Sequence, residues 1–214
     1  MSQYEDMANF AQEPELFSIL GAKPISKINY FPIPLRQLNK NLFVLELFHG
    51  PTLAFKDVGA RFLARLLGYF LEQSSTALNI IVATSGDTGS AVASGFYKVP
   101  GIRVFILYPQ GRVSKLQEQQ LTTYGHNIHA LAVQGSFDEC QALAKAILNT
   151  QELKKNHQFS SANSINIGRL LPQSFYYFHA VAELRRQGIT TAPVLVVPSG
   201  NFGNLTAGVI AKKM

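Results

Sequence analysis

Four short runs of apolar, largely β-branched residues constrain the fold of this chain more than any other feature: 78–83, 102–107, 128–133 and Val194-Leu195-Val196-Val197, with helix-like segments between them. Strands apolar on both faces are those covered on both faces, the habit of parallel sheets, and parallel neighbours need a crossover connection such as a helix. The pattern therefore predicts an α/β protein, a parallel sheet flanked by helices, with ligands bound outside the carboxyl ends of the strands. Ser114 with Gln117, and Ser136 with Glu139, have the spacing of capping boxes. The second opens a helix whose apolar face is expected to carry Cys140, Leu143 and Ile147. Pro100-Gly101 and Gly125-His126-Asn127 punctuate the gaps.

At 214 residues and 47% hydrophobic, the chain is long enough to bury a sizeable core. The single Cys140 excludes an internal disulfide framework and reads as a small core residue. Glu5, Asp6, Glu13 and Glu15 fit neither a secretory signal nor a transit peptide, and no apolar stretch is long enough to span a bilayer, so the expectation is a cytoplasmic protein without membrane partners. The net charge of +6 comes from scattered residues and short doublets such as Lys154-Lys155 and Arg185-Arg186, with no helix-turn-helix or zinc pattern. That census argues against nucleic acid as a partner. No metal site is expected, and the five histidines, His49, His126, His129, His157 and His179, are scattered and read as structural.

Four stretches carry chemistry. After the Val194 run comes Pro198-Ser199-Gly200-Asn201-Phe202-Gly203-Asn204 and then a helix, a loop whose glycines let backbone amides converge on an anion such as a phosphate. In Leu53-Ala54-Phe55-Lys56-Asp57, Lys56 stands at the start of a helix with apolar positions Val58, Phe62, Leu66 and Tyr69 or Phe70. A cation is badly placed there for the helix dipole, so the amine is either solvated or in use as a nucleophile toward a carbonyl. Thr84, Ser85, Asp87 and Thr88 crowd the start of a helix rich in small residues, which suits a carboxylate or phosphate but also suits a cap on a closely packed helix. Asn163, Ser164 and Arg169 gather amide, hydroxyl and guanidinium donors before the aromatic run 175–178, fit for an oxyanion or equally for a polar turn. Pro172 either begins the aromatic helix or kinks it.

Taken together, residues 46–57, 83–89, 161–166 and 198–205, four long matches in the right order, resemble threonine synthases. The resemblance covers nearly everything from about Leu45 onward. It implies a fold-type II pyridoxal-phosphate enzyme, tryptophan-synthase-β-like, that converts O-phospho-L-homoserine and water into L-threonine and phosphate. It further implies that Lys56 forms the internal aldimine and shuttles protons, and that Gly200, Asn201, Phe202, Gly203 and Asn204 surround the cofactor phosphate. Thr84, Ser85 and Thr88 would take the substrate carboxylate, Asp87 would approach the phenolic oxygen of the cofactor, and Asn163, Ser164 and Arg169 would hold the phosphate that leaves. Where Asp87 stands, many relatives have Asn.

Members of that family are longer at both ends, so the chain is expected to be a fragment, inactive or nearly so by itself. The expected division is an arm or linker over 1–37, an incomplete large domain over 38–77 and 190–214, and a small α/β domain over 78–189. Two other functions stay open: a pyridoxal-phosphate lyase of another kind, either a dehydratase or a threonine-synthase-like protein acting on another phosphorylated amino acid, and a non-catalytic phosphate-binding module. Oligomeric state is not legible.

Overall fold

A computed structural model describes residues 31–72, 76–164 and 166–214. Most of the expected 1–37 arm, including its four acidic residues, lies outside the described residues, as does Ile165. The central feature is a four-stranded parallel sheet. Strand β3 (Leu78–Ala83) sits between β4 (Ile102–Pro109) and β6 (Gln158–Ser161), and β5 (Ile128–Val133) lies beyond β4. A separate antiparallel hairpin joins β1 (Leu35–Asn39) to β2 (Leu42–Leu45). Its turn is held where the Asn41 N–H donates to the side-chain oxygen of Asn39 at 3.0 Å.

The helices run in chain order as α1 (Lys56–Leu71), α2 (Asp87–Phe96), α3 (Lys115–Thr122), α4 (Phe137–Asn149), α5 (Gln151–Asn156), α6 (Ile167–Leu170), α7 (Phe175–Arg186) and α8 (Gly203–Lys213). Both expected capping boxes form: Ser114 caps α3 with Gln117, and Ser136 caps α4 with Glu139. Pro172 lies near the start of a 3₁₀ turn over Leu171–Ser174 that leads into α7, so it opens the aromatic segment without interrupting it. No helix among the described residues is long and apolar enough to cross a membrane.

Successive residues of a strand face opposite ways, and the core follows that alternation. Ile80, Val82, Val104 and Ile106 pack on one face against Ala60, Leu63 and Ala64 of α1 and Val92 and Phe96 of α2. Ile81, Ala83 and Leu107 pack on the other against Cys140 and Ala144 of α4. The small residues of α2 serve close approach: a Cβ on Gly95 would stand 3.0 Å from the backbone of Ala60 in α1. Each large side chain buried this way contributes on the order of 2 kcal/mol. A third cluster joins Val58, the aromatic residues Tyr176, Tyr177 and Phe178 of α7, and Ala207 and Ala211 of α8, with Leu45, Leu47 and Val197 against it.

Three expectations are corrected. The run Val194-Leu195-Val196-Val197 is not a strand, and Val194 and Val196 are 90% and 89% exposed. Strand pairing needs a neighbour to receive its N–H and C=O groups, and among the described residues none lies beside this run. Of the apolar positions expected in α1, Val58 is buried, but the stripe facing the sheet is Ala60, Leu63 and Ala64, not Phe62, Leu66 and Phe70, because the helix turns its smaller face to the sheet; Phe70 is exposed. In α4, Cys140 and Ala144 are buried while Leu143 is exposed. Strand β6 was not anticipated, since Gln158, Ser160 and Ser161 lack the apolar signature of its neighbours.

Candidate active site

Because β3 and β6 are parallel neighbours, their carboxyl ends deliver two segments side by side, 84–86 and 162–164. Asn163 stitches them together. Its amide nitrogen donates to the Ala83 carbonyl at 2.7 Å and its amide oxygen accepts from the Ala83 N–H at 3.2 Å, extending the strand ladder by a side chain. Thr84 organises its own loop: the buried hydroxyl accepts from the N–H groups of Gly86 and Gly89, both at 2.9 Å, and lies 3.0 Å from the Gly86 carbonyl. Gly86 adopts φ +145°, a conformation open to glycine, and hands the chain to α2 at Asp87. Ser85 is exposed and Thr88 is buried.

Lys56 is the first residue of α1. Its Nζ lies 3.5 Å from Oδ2 of Asp87 and 5.3 Å from the centroid of the Phe55 ring. The backbone beneath it is tightly tied. Asp57, fully buried, accepts from the Thr52 N–H at 3.0 Å and from the Thr52 hydroxyl at 2.6 Å. A Cβ on Gly50 would come within 2.4 Å of the same carboxylate. The Tyr176 hydroxyl donates to the carbonyl of Phe55, so α7 braces the residue before the lysine.

Burial lowers the pKa of the Lys56 amine; Asp87 opposes that shift, and the positive charge of Arg169 adds to it. Burial raises the pKa of Asp57, with the hydrogen bonds from Thr52 opposing. Arg169 is 1% exposed, and burial pulls its guanidinium down to about 10, still charged at neutral pH. Its Nη1 donates to the Ala162 carbonyl, and its Nε has no partner among the described residues.

The loop at 200–204 meets this region through Gly203, where a Cβ would stand 3.4 Å from Cβ of Ser164. The Tyr177 hydroxyl lies 2.8 Å from the carbonyl oxygen of Asn204 and 2.9 Å from its side-chain oxygen, fixing the first turn of α8 to α7. Gly200, Asn201 and Phe202 are exposed. The structure thus brings Lys56 to Asp87, Asn163 to the end of β3 at Ala83, and Ser164 to Gly203. Three residues of this region were not singled out from sequence: Asp57, Tyr177 and Gln117, whose amide reaches Asp87. Asp57 adjoins Lys56 and so lay in view; Gln117 had a signal only as a capping residue.

A partly shielded amine, a loop with two glycines entering the N-terminus of an eleven-residue helix, and a buried cation with an orphaned N–H suit an anionic carbonyl cofactor. Fold and site together suit a parallel-sheet α/β enzyme that holds an anionic cofactor. The chain belongs to the family described as "Pyridoxal-phosphate dependent enzyme", whose model matches residues 19–214. It is 52% identical over 184 residues to a threonine synthase of Serratia marcescens, a match covering 86% of this chain and 42% of that one. The fold matches the crystal structure of threonine synthase from Escherichia coli with a TM-score of 0.80 and 49% identity, over 88% of this chain and 43% of that one. The pyridoxal-phosphate-bound threonine synthase of Brucella melitensis superposes with a TM-score of 0.78 and 45% identity, over 89% of this chain and 42% of that one. The chain spans less than half the length of the curated relatives it matches.

Proposed function

We propose that this chain carries the lysine half of a threonine synthase, acting in the whole protein on O-phospho-L-homoserine and water to give L-threonine and phosphate. The observation that carries the reading is the Lys56 amine, shielded from water, 3.5 Å from Asp87 and within the field of the buried Arg169. Pyridoxal phosphate, when bound, supplies a carbonyl for the amine and a ring that spreads negative charge from the substrate α-carbon.

This chain's residues would then act as follows. Lys56, whose amine burial moves toward neutrality, would hold the cofactor and would take and return protons at the substrate carbons. Asp87 holds Nζ in place. Gly203, Asn204 and the exposed Gly200, Asn201 and Phe202 supply the amide-rich loop for the cofactor phosphate, with the dipole of α8 behind it. Ser85 and Thr88 would receive the substrate carboxylate, with Thr84 shaping their loop. Ser164 and Arg169 would meet the departing phosphate, with Asn163 holding their loop to the end of β3. A fixed positive charge stabilises most where negative charge grows, so Arg169 matters chiefly as the carbon-oxygen bond breaks. A dehydratase has no leaving phosphate to neutralise, and the buried Arg169 favours the phosphorylated substrate.

The test is an absorbance titration of the purified chain with pyridoxal phosphate beside Lys56→Ala. A visible band of the lysine-bound cofactor that needs Lys56 is the expected result. An equal band in both proteins would overturn the assignment of the lysine.

A further inference from the structure

Asp87 has a second neighbour that the proposed chemistry does not use. Gln117, at the third position of α3, donates from Nε2 to Oδ1 of Asp87 at 2.8 Å, while Oδ2 of the same carboxylate faces Lys56 at 3.5 Å. Three helices thus meet through a short chain of side chains. The far end of Gln117 is also tied: its Oε1 accepts from the Ser114 N–H at 3.3 Å and from the Ser114 hydroxyl at 3.1 Å. The space it crosses exists because residue 86 is glycine, where a Cβ would stand 2.3 Å from the Gln117 amide nitrogen.

We infer that Gln117 is a positioning residue for the Lys56 amine: its amide occupies one oxygen of Asp87 and so turns the other toward Nζ. The need for such a device follows from exposure. The Asp87 side chain is 51% exposed, against 22% for Lys56, and a carboxylate free in water samples several rotamers, of which one pairs with the lysine. A charge-assisted hydrogen bond from a tethered amide selects that rotamer. The charged groups facing Lys56 are Asp87 from α2 and Arg169 from α6, with Asp57 beside it on α1; Gln117 approaches from α3 without charge. Its influence is therefore one of orientation. The functional meaning rests on the reading of Lys56 as the cofactor-bearing lysine, but the geometry does not.

The measurement is the pH dependence of Lys56 acylation by an N-hydroxysuccinimide ester in the full chain without cofactor, followed by peptide mass spectrometry. Because an oriented Asp87 favours the ammonium form, Asp87→Asn is expected to lower the midpoint by about one unit and Gln117→Leu by about half a unit. Gln117→Met replaces the leucine variant if that one fails to fold. Ser114→Ala weakens the same helix cap and removes one of the two tethers on Oε1 while leaving the backbone one and the amide itself, and is expected to move the midpoint much less than Gln117→Leu. An unmoved midpoint in Gln117→Leu beside a shifted Asp87→Asn overturns the inference, and so does an equal shift in Ser114→Ala, which would assign the effect to the cap. An unmoved Asp87→Asn overturns it too, since the ion pair would then be absent in solution. A cofactor titration that fails to involve Lys56 leaves these midpoints as they are, so the two failures can be told apart.

Discussion

Lys56 occupies a place that elementary electrostatics disfavours, at the positive end of a 16-residue helix and within reach of a buried arginine. Asp87 offsets only part of the burial. An amine with a lowered folded pKa burdens the fold while it is protonated, and the burden fades as pH rises through the folded value toward the ordinary 10.5. Lys56→Met should therefore unfold at higher denaturant than the wild type at neutral pH, with the gap closing above pH 10.5. Urea midpoints of the two proteins at neutral and at alkaline pH check this, and a gap independent of pH would contradict it. Asp57 has the opposite character: its carboxylate satisfies two donors of Thr52. Asp57→Ala leaves those donors buried without an acceptor, and a loss of about 2 kcal/mol is expected in urea unfolding. Lys56 stood out in sequence because its position violates a local rule, which by itself left the amine either solvated or in use. Gln117 was not, since its link to Asp87 spans 30 positions and depends on the missing side chain of Gly86.

Among elements, those governed by short-range chemistry were the readable ones. Both capping boxes need only four consecutive residues, and both form with their reciprocal bonds. Ser136→Ala should lower stability by about 1 kcal/mol through loss of the α4 cap, read as a drop in melting temperature. Elements set by their neighbours were less readable. The polar β6 is a strand because β3 lies beside it, whereas the strand-like Val194 run has no such neighbour among the described residues. The seat of α8 on α7 is likewise invisible in sequence, and it is close: a Cβ on Gly208 would stand 2.5 Å from the Tyr177 ring. Gly208→Ala is expected to cost about 1–3 kcal/mol by overpacking and to pull the Tyr177 hydroxyl from Asn204. Its melting curve, and its affinity for pyridoxal phosphate, should fall together.

At the scale of the whole molecule, the parallel sheet and its helical layers follow from the alternation of apolar runs, and the four chemical stretches stand out in the sequence as donor-rich or glycine-rich loops. Their mutual placement was the part sequence did not hold, because it comes from the strand order β5-β4-β3-β6, in which β6 returns to pair with β3. The same scale brings a liability. Val194 and Val196 project from an extended segment with no ladder partner among the described residues, an invitation to pair with another chain. The chain should self-associate as its concentration rises, and Val194→Lys with Val196→Lys should suppress this in sedimentation velocity.

The bond pair from Asn163 to Ala83 has a consequence for motion. A turn that leaves a strand end would ordinarily fluctuate on its own, but this double-ended amide clasp moors the segment at 162–164 to the last residue of β3. Displacing the segment around Ser164 therefore means breaking both bonds to Ala83 or moving the end of β3 with it.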